Sequence, residues 1–280
     1  MQSVRTLTII VLALGPIGWH GAAFAAAPAT NQIEELTSPE VRARIAAGST
    51  TILIPIGGTE QNGPYITLGK HNARVKYFAT AIAQGLGNAL VAPVIAYVPE
   101  GAISPPTAHM HFVGTISIPD VAFESMLDAT ARSFKQHGFR DVVFLGDHGG
   151  YQKNLQHVAE RLAREWARDP ACRVHAYSGY YQASQAPIVA ALKSRGYSLA
   201  EIGTHAGLAD TALTLATVPA AVRADGMAHA PQPGAADGMQ GDPRRASAAL
   251  GQSGAAQIIQ TSVAGIAQLT RRAAPSPKIN

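Results

Sequence analysis

Thr51-Ile52-Leu53-Ile54-Pro55-Ile56-Gly57-Gly58-Thr59-Glu60 is the stretch on which the fold turns. Its first six residues form a β-branched, apolar run, the pattern of a strand buried on both faces. Two glycines close the run and deliver Glu60 at its carboxyl end. Working outward, residues 89–95, 141–145 and 173–177 read as three further strands. Helical spacing fills the gaps: 34–47 with Ser38 and Pro39 at its start, 73–86 with Val75, Phe78, Ala79 and Ile82 on one face, 120–137 and 151–167. Helices are also expected at 186–194 and 208–217, and from Asp242-Pro243 to about Arg272. Strands alternating with helices long enough for crossovers predict an α/β fold with a mostly parallel sheet covered on both faces.

Composition narrows the class. The chain has 280 residues, of which 47% are hydrophobic and 14% charged, enough apolar material for a sizeable core. The formal charge of +4 comes from 22 Lys+Arg against 18 Asp+Glu, scattered without long runs, so no nucleic-acid partner is indicated. Residues 1–26 carry Arg5, an apolar stretch over 7–14 and a small-x-small site at Ala23-Phe24-Ala25, the layout of a cleaved secretory signal. The expected organisation is therefore a signal peptide over 1–26 and one domain over 27–280, periplasmic or secreted, with no membrane partner after cleavage. The single cysteine, Cys172, excludes an internal disulfide and any multi-cysteine zinc cluster. A metal here would rest on the ten histidines and on carboxylates.

Two strand ends carry ligand-type residues. Glu60 and His71 follow the first strand, and His148 in Gly146-Asp147-His148-Gly149-Gly150 follows the third. Singly, each has an ordinary explanation: a solvated loop acid, a helix-capping histidine, a histidine in a glycine turn. Together, at one edge of one sheet, they suit zinc, manganese or iron better than calcium. The chain shows no nucleophile elbow, Walker lysine loop, dinucleotide-binding fingerprint or H-E-x-x-H pair. Trp166 and Cys172 read as packing.

Ile54-Pro55-Ile56-Gly57-Gly58-Thr59-Glu60-Gln61-Asn62-Gly63-Pro64 with Leu68-Gly69 resembles the creatininase (creatinine amidohydrolase) family, whose segment usually reads P-x-G-S-x-E-Q-H-G-P-H-L-P-L-G-T-D. Phe112-Val113-Gly114-Thr115-Ile116-Ser117 with His109 upstream, Gly146-Asp147-His148-Gly149-Gly150, His205-Ala206-Gly207-Leu208-Ala209-Asp210-Thr211 and Gly241-Asp242-Pro243 agree with its other motifs, in family order. The resemblance implies a three-layer α/β/α sandwich, a homo-oligomer, often a hexamer, and hydrolysis of small cyclic or linear amides with one or two divalent metals. It implies metal-ligand roles for Glu60 and His148, proton shuttling by His205, and an acidic position at Asp210. Asn62 replaces a metal-binding histidine, and His71 replaces a bridging aspartate.

The sequence-based expectation is therefore an exported metal-dependent amidohydrolase acting on the C–N bond of a small amide. One zinc or manganese per chain would be held by Glu60, His71 and His148, with Asp210 or water completing the site. His205 would be catalytic. Asn62, Lys70, His109 and Tyr151 are candidate substrate contacts, with Lys70 either solvated or orienting a substrate carboxylate. The alternative is a non-catalytic periplasmic ligand-binding or accessory protein on the same scaffold.

Overall fold

The structure, a computed structural model, describes residues 30–169, 171–232 and 234–271. The expected signal segment lies outside the described residues. Four strands form one sheet: β1 (Thr51–Ile56), β2 (Ala89–Val91), β3 (Asp141–Gly146) and β4 (Arg173–Ala176). Their order is β2-β1-β3-β4 and every pairing is parallel. The helices are α1 (Ser38–Ala46), α2 (Lys70–Leu86), α3 (Asp120–Gln136), α4 (Gln152–Glu165), α5 (Ser178–Ala183), α6 (Ala186–Ser194), α7 (Leu199–Ile202), α8 (Leu208–Thr217), α9 (Ala224–Met227) and α10 (Ala248–Thr270).

Strand alternation sorts the core into two layers. Leu53, Val143 and Leu145 face one side of the sheet and pack with Val75, Phe78 and Ile82 of α2, Leu208 and Leu213 of α8 and Ile258 of α10. Ile52, Ile54, Val142 and Phe144 face the other side, against Phe123 and Leu127 of α3 and Val158 and Leu162 of α4. Both central strands are buried along their whole length, as parallel strands between helical layers must be. The result is a three-layer α/β/α sandwich.

Several boundaries differ from the sequence reading: the helix expected over 34–47 begins at Ser38, with Thr37 rather than Ser38 at its N-cap, and Ile33–Glu35 is a separate 3-10 turn. The first helix after β1 begins at Lys70 rather than 73, and α10 begins at Ala248, capped by the Ser247 side chain rather than opened by Asp242-Pro243. The second strand is also short, three residues instead of seven.

The topology places the site. From β1 the chain crosses to β2 on one side, and from β3 to β4 on the other, so the crevice lies between the carboxyl ends of β1 and β3. Ile56 and Gly146 are in register, and the loops carrying Glu60 and His148 leave side by side.

Candidate metal centre

Glu60 is held by backbone. Its N–H donates to the Leu68 carbonyl at 3.2 Å, and Thr59 bridges to Ile116 of the next loop. Its side chain is fully buried. Glu100 reaches the same place from the 99–118 loop, where Ser117 Oγ accepts from the Glu100 N–H at 2.9 Å. Gly58 makes room for it. The backbone there has φ +149°, and a Cβ would stand 2.5 Å from Glu100 Oε1, so a side chain at 58 would collide with the acid.

One ligand atom each from Glu60, Glu100, His109 and His148 converges, all within 4.8 Å of one another. Glu60 Oε2 is 3.1 Å from His109 Nε2 and 3.5 Å from His148 Nε2, and Glu100 Oε2 is 3.5 Å from His148 Nδ1. Glu60 Oε2 and both Glu100 oxygens are buried without an aligned hydrogen-bond donor. Orphaned acceptors of this kind are costly unless something cationic satisfies them.

The electrostatics agree. Burial pushes the Glu100 carboxyl up to about 9, and the charge of neighbouring Glu60 adds to the rise. Burial would raise Glu60 as well, but the hydrogen bond and charge of His71, with Lys70 and His148 beyond, hold it below the usual carboxylate range. Burial brings His148 down to about 3, leaving the neutral imidazole that a metal requires. Two oxygen and two nitrogen donors fit zinc or manganese. Donors bound at ~2.0–2.2 Å to one ion in a tetrahedral arrangement lie about 3.3–3.6 Å apart, close to the 3.1–3.5 Å contacts between the acids and histidines here.

The remaining sequence-selected residues have other settings. His71 stands behind Glu60 with both ring nitrogens engaged, Nε2 2.8 Å from Glu60 Oε1 and Nδ1 2.6 Å from Asp147 Oδ2. It therefore supports Glu60 rather than turning a lone pair towards the cluster. Asp210, expected to complete the ligand set, is ion-paired with Lys70 at 2.6 Å and Arg74 at 2.5 Å. Lys70 is 1% exposed, neither solvated nor free for a substrate. Asn62 is buried and ties its own loop, donating to the Glu60 and Thr67 carbonyls at 2.9 and 3.1 Å. Tyr151 is buried too, its hydroxyl 2.7 and 2.6 Å from the Ile56 and Gly57 carbonyls. His109, read as a substrate contact, lies in the metal cluster. Glu100 was not selected from the sequence; its only signal there is an acid between Pro99 and Gly101 in an otherwise uncharged loop.

His205 lies beside the cluster. Its Nε2 is 3.0 Å from the Gln61 backbone carbonyl, an acceptor, and 3.2 Å from the Gln61 side-chain amide nitrogen, a donor, so Gln61 holds this nitrogen in either tautomer. Nδ1 is the nitrogen turned towards the acids, 3.8 Å from Glu60 Oε1. Burial lowers His205 to about 4, with Lys70 contributing, so the ring is neutral at pH 7.

Two cavities meet at His148, Thr204 and His205. One, of about 200 Å³, has Lys70, Asp210 and Gln185 on its walls together with Ile188, Val189 and Leu213. The other, of about 420 Å³, is lined by Ala108, Phe112, Ala235 and Met239 beside Gln61 and His109.

The creatininase profile, described as creatinine amidohydrolase, matches residues 34–269. The chain belongs to the creatininase family. Among relatives, a mycofactocin precursor peptide peptidase of Mycolicibacterium smegmatis is 33% identical over 123 residues, 42% of this chain and 47% of that protein. The match thus spans about half of that relative's length. The creatinine amidohydrolase of Pseudomonas putida is 26% identical over 204 residues, 69% of this chain and 74% of that one. Solved creatininases share the fold: a Zn–Zn type mutant aligns at TM-score 0.71 with 23% identity, covering 87% of this chain and 99% of that chain. A manganese creatininase aligns at 0.68 with 24% identity, covering 86% and 98%.

Proposed function

We propose that this creatininase-family protein hydrolyses a C–N amide bond with one divalent ion, zinc or manganese, held by Glu60, Glu100, His109 and His148. The observation that carries the reading is the convergence of these four donors, with three buried carboxylate oxygens that no hydrogen bond satisfies. The relatives' names, a creatinine amidohydrolase and a peptide peptidase, support C–N hydrolysis, and the zinc and manganese titles of the neighbours support the metal.

A divalent ion in this setting supplies Lewis acidity, lowering the pKa of a water towards ~7 and polarising a carbonyl. The chain's own part falls to His205. Its neutral Nδ1 is aimed at the site and can accept a proton from the attacking water. The resulting imidazolium can donate that proton to the departing amine nitrogen. In the tautomer that leaves Nδ1 free to accept, the Gln61 carbonyl takes the Nε2 proton. The His109 ring lies beside that of His205, centroids 4.6 Å apart and planes tilted by 42°. With a cavity on each side of His148 and His205, the acyl and amine halves of a linear amide have separate places, and a small lactam would fill only part of the space.

The test is elemental analysis of the purified protein together with hydrolysis of a panel of dipeptide amides, N-acyl amines and lactams. The expected result is one equivalent of metal and turnover of at least one linear amide, falling about 10²–10⁴-fold in His205→Gln with metal content unchanged. A metal-loaded protein that binds panel members without cleaving any would favour the ligand-binding alternative. A protein that takes up no metal would overturn the reading.

A further inference from the structure

The first turn of α2 puts Lys70, His71 and Arg74 into a buried lattice with Glu60, Asp147 and Asp210. Lys70 Nζ is 2.6 Å from Asp210 Oδ2 and 3.9 Å from Glu60 Oε1, at 1% exposure. Arg74 bonds the other Asp210 oxygen at 2.5 Å and reaches Asp147 Oδ2 at 2.8 Å. Asp147 Oδ1 accepts from the Tyr180 hydroxyl, and Asp210 Oδ2 also accepts from the Ala206 N–H. Every oxygen of Asp147 and Asp210 is thereby satisfied, and Glu60 Oε1 is satisfied by His71. Among the described residues, the buried carboxylate oxygens left unsatisfied lie on the other side, on Glu60 Oε2 and Glu100.

Charge gives the same division. Glu60, Glu100, Asp147 and Asp210 would bring four negative charges together when ionised. Lys70 and Arg74 cancel two of these on the inner side, away from the Glu60 Oε2 and Glu100 oxygens. The ammonium of Lys70 lies between two carboxylate oxygens, Glu60 Oε1 and Asp210 Oδ2, with His205 Nδ1 3.8 Å from the first.

We propose that Lys70 is a covalent stand-in for a second cation: its ammonium occupies the space between Glu60 and Asp210 and restricts the centre to one divalent ion. The inference rests on the reading of Glu60 as a ligand of the first ion. Lys70 is on this view a positioning residue. It neutralises the inner side of Glu60, and Oε2 is left for the metal.

The experiment is manganese and zinc stoichiometry by equilibrium dialysis on the full chain, with manganese electron paramagnetic resonance as a second readout. Wild type and Lys70→Arg, which keeps the charge, should bind one equivalent and give the signal of an isolated ion. Lys70→Ala, which empties the position, should bind two and show spin coupling between neighbouring manganese ions. Lys70→Gln removes the charge with less loss of packing and serves if the alanine variant does not fold. Should neither variant fold, wild-type stoichiometry at saturating manganese decides: one equivalent supports the inference. A folded, charge-free variant that stays at one equivalent overturns it, as do two equivalents in wild type. No metal in folded wild type overturns the metal reading itself, and the role of Lys70 with it.

Discussion

Glu60 meets a different neighbourhood at each oxygen: Oε1 faces the basic groups of α2, and Oε2 faces Glu100, His109 and His148. Glu100 is the residue on which the two-sided arrangement depends. Without metal its carboxyl, raised to about 9, is protonated at pH 7, and a divalent ion would displace that proton. Glu100→Gln copies the protonated form in size and charge but offers a poor donor. It should therefore leave metal-free stability within about 0.5 kcal/mol of wild type and weaken zinc binding by about 100-fold or more. Competition with a chromogenic chelator and thermal melts of the chelated protein measure the two effects. Unchanged zinc affinity would remove Glu100 from the ligand set. Glu60 and His148 were legible in the sequence because they sit in strand-end motifs, whereas His109 was singled out only as a substrate contact. Glu100 was not, since nothing local marks it and its partner Gly58 is distant in the chain.

At the scale of elements, the reading located α2 by its apolar face, Val75, Phe78, Ala79 and Ile82, and missed its first turn. Amphipathic logic assigns polar residues to solvent, whereas Lys70, His71 and Arg74 are polar and buried because acids from three other segments meet them. The same limit produced the expectation that His71 binds metal: a histidine eleven residues after Glu60 looks like a ligand until the helix turns it to the inner side. Tyr151, at the start of α4, joins elements in a way no spacing reveals. Its hydroxyl has the Ile56 and Gly57 carbonyls as acceptors and takes the N–H groups of Asp147 and His148 at 3.1 Å, tying the ends of β1 and β3 together. Tyr151→Phe keeps the ring and takes the hydroxyl from the Gly57 carbonyl and the His148 N–H, while the Asp147 N–H and the Ile56 carbonyl still bond each other at 3.0 Å. It should cost about 1–3 kcal/mol in urea unfolding and loosen the His148 turn. A loss under about 0.5 kcal/mol would mean that water replaces the hydroxyl.

Across the whole molecule, Asp210 joins the two helices that bracket the site. It lies in the first turn of α8 and pairs with Lys70 and Arg74 in the first turn of α2, so one carboxylate anchors the C-terminal half of the chain to the β1 exit. Burial alone would raise its carboxyl, but the charges of Lys70 and Arg74 outweigh that and hold it well below the ordinary aspartate range. A carboxyl depressed in the folded state adds stability that is fully present above the unfolded pKa, ~3.9, and is lost as pH falls through the folded pKa. Asp210→Asn has no such titration and leaves two buried cations short of a partner at every pH. The difference in unfolding free energy between wild type and variant should therefore be largest at neutral pH, about 3 kcal/mol. It should be unchanged down to pH 5 and then narrow by about 1.4 kcal/mol per pH unit below ~4, until the folded carboxyl is itself protonated. Urea titrations of both proteins at pH 7, 5 and 3, read as a difference so that other titrating groups cancel, measure it. A gap that is the same at pH 3 as at pH 7, or that widens on acidification, would show that the charge on Asp210 is not what joins the two helices.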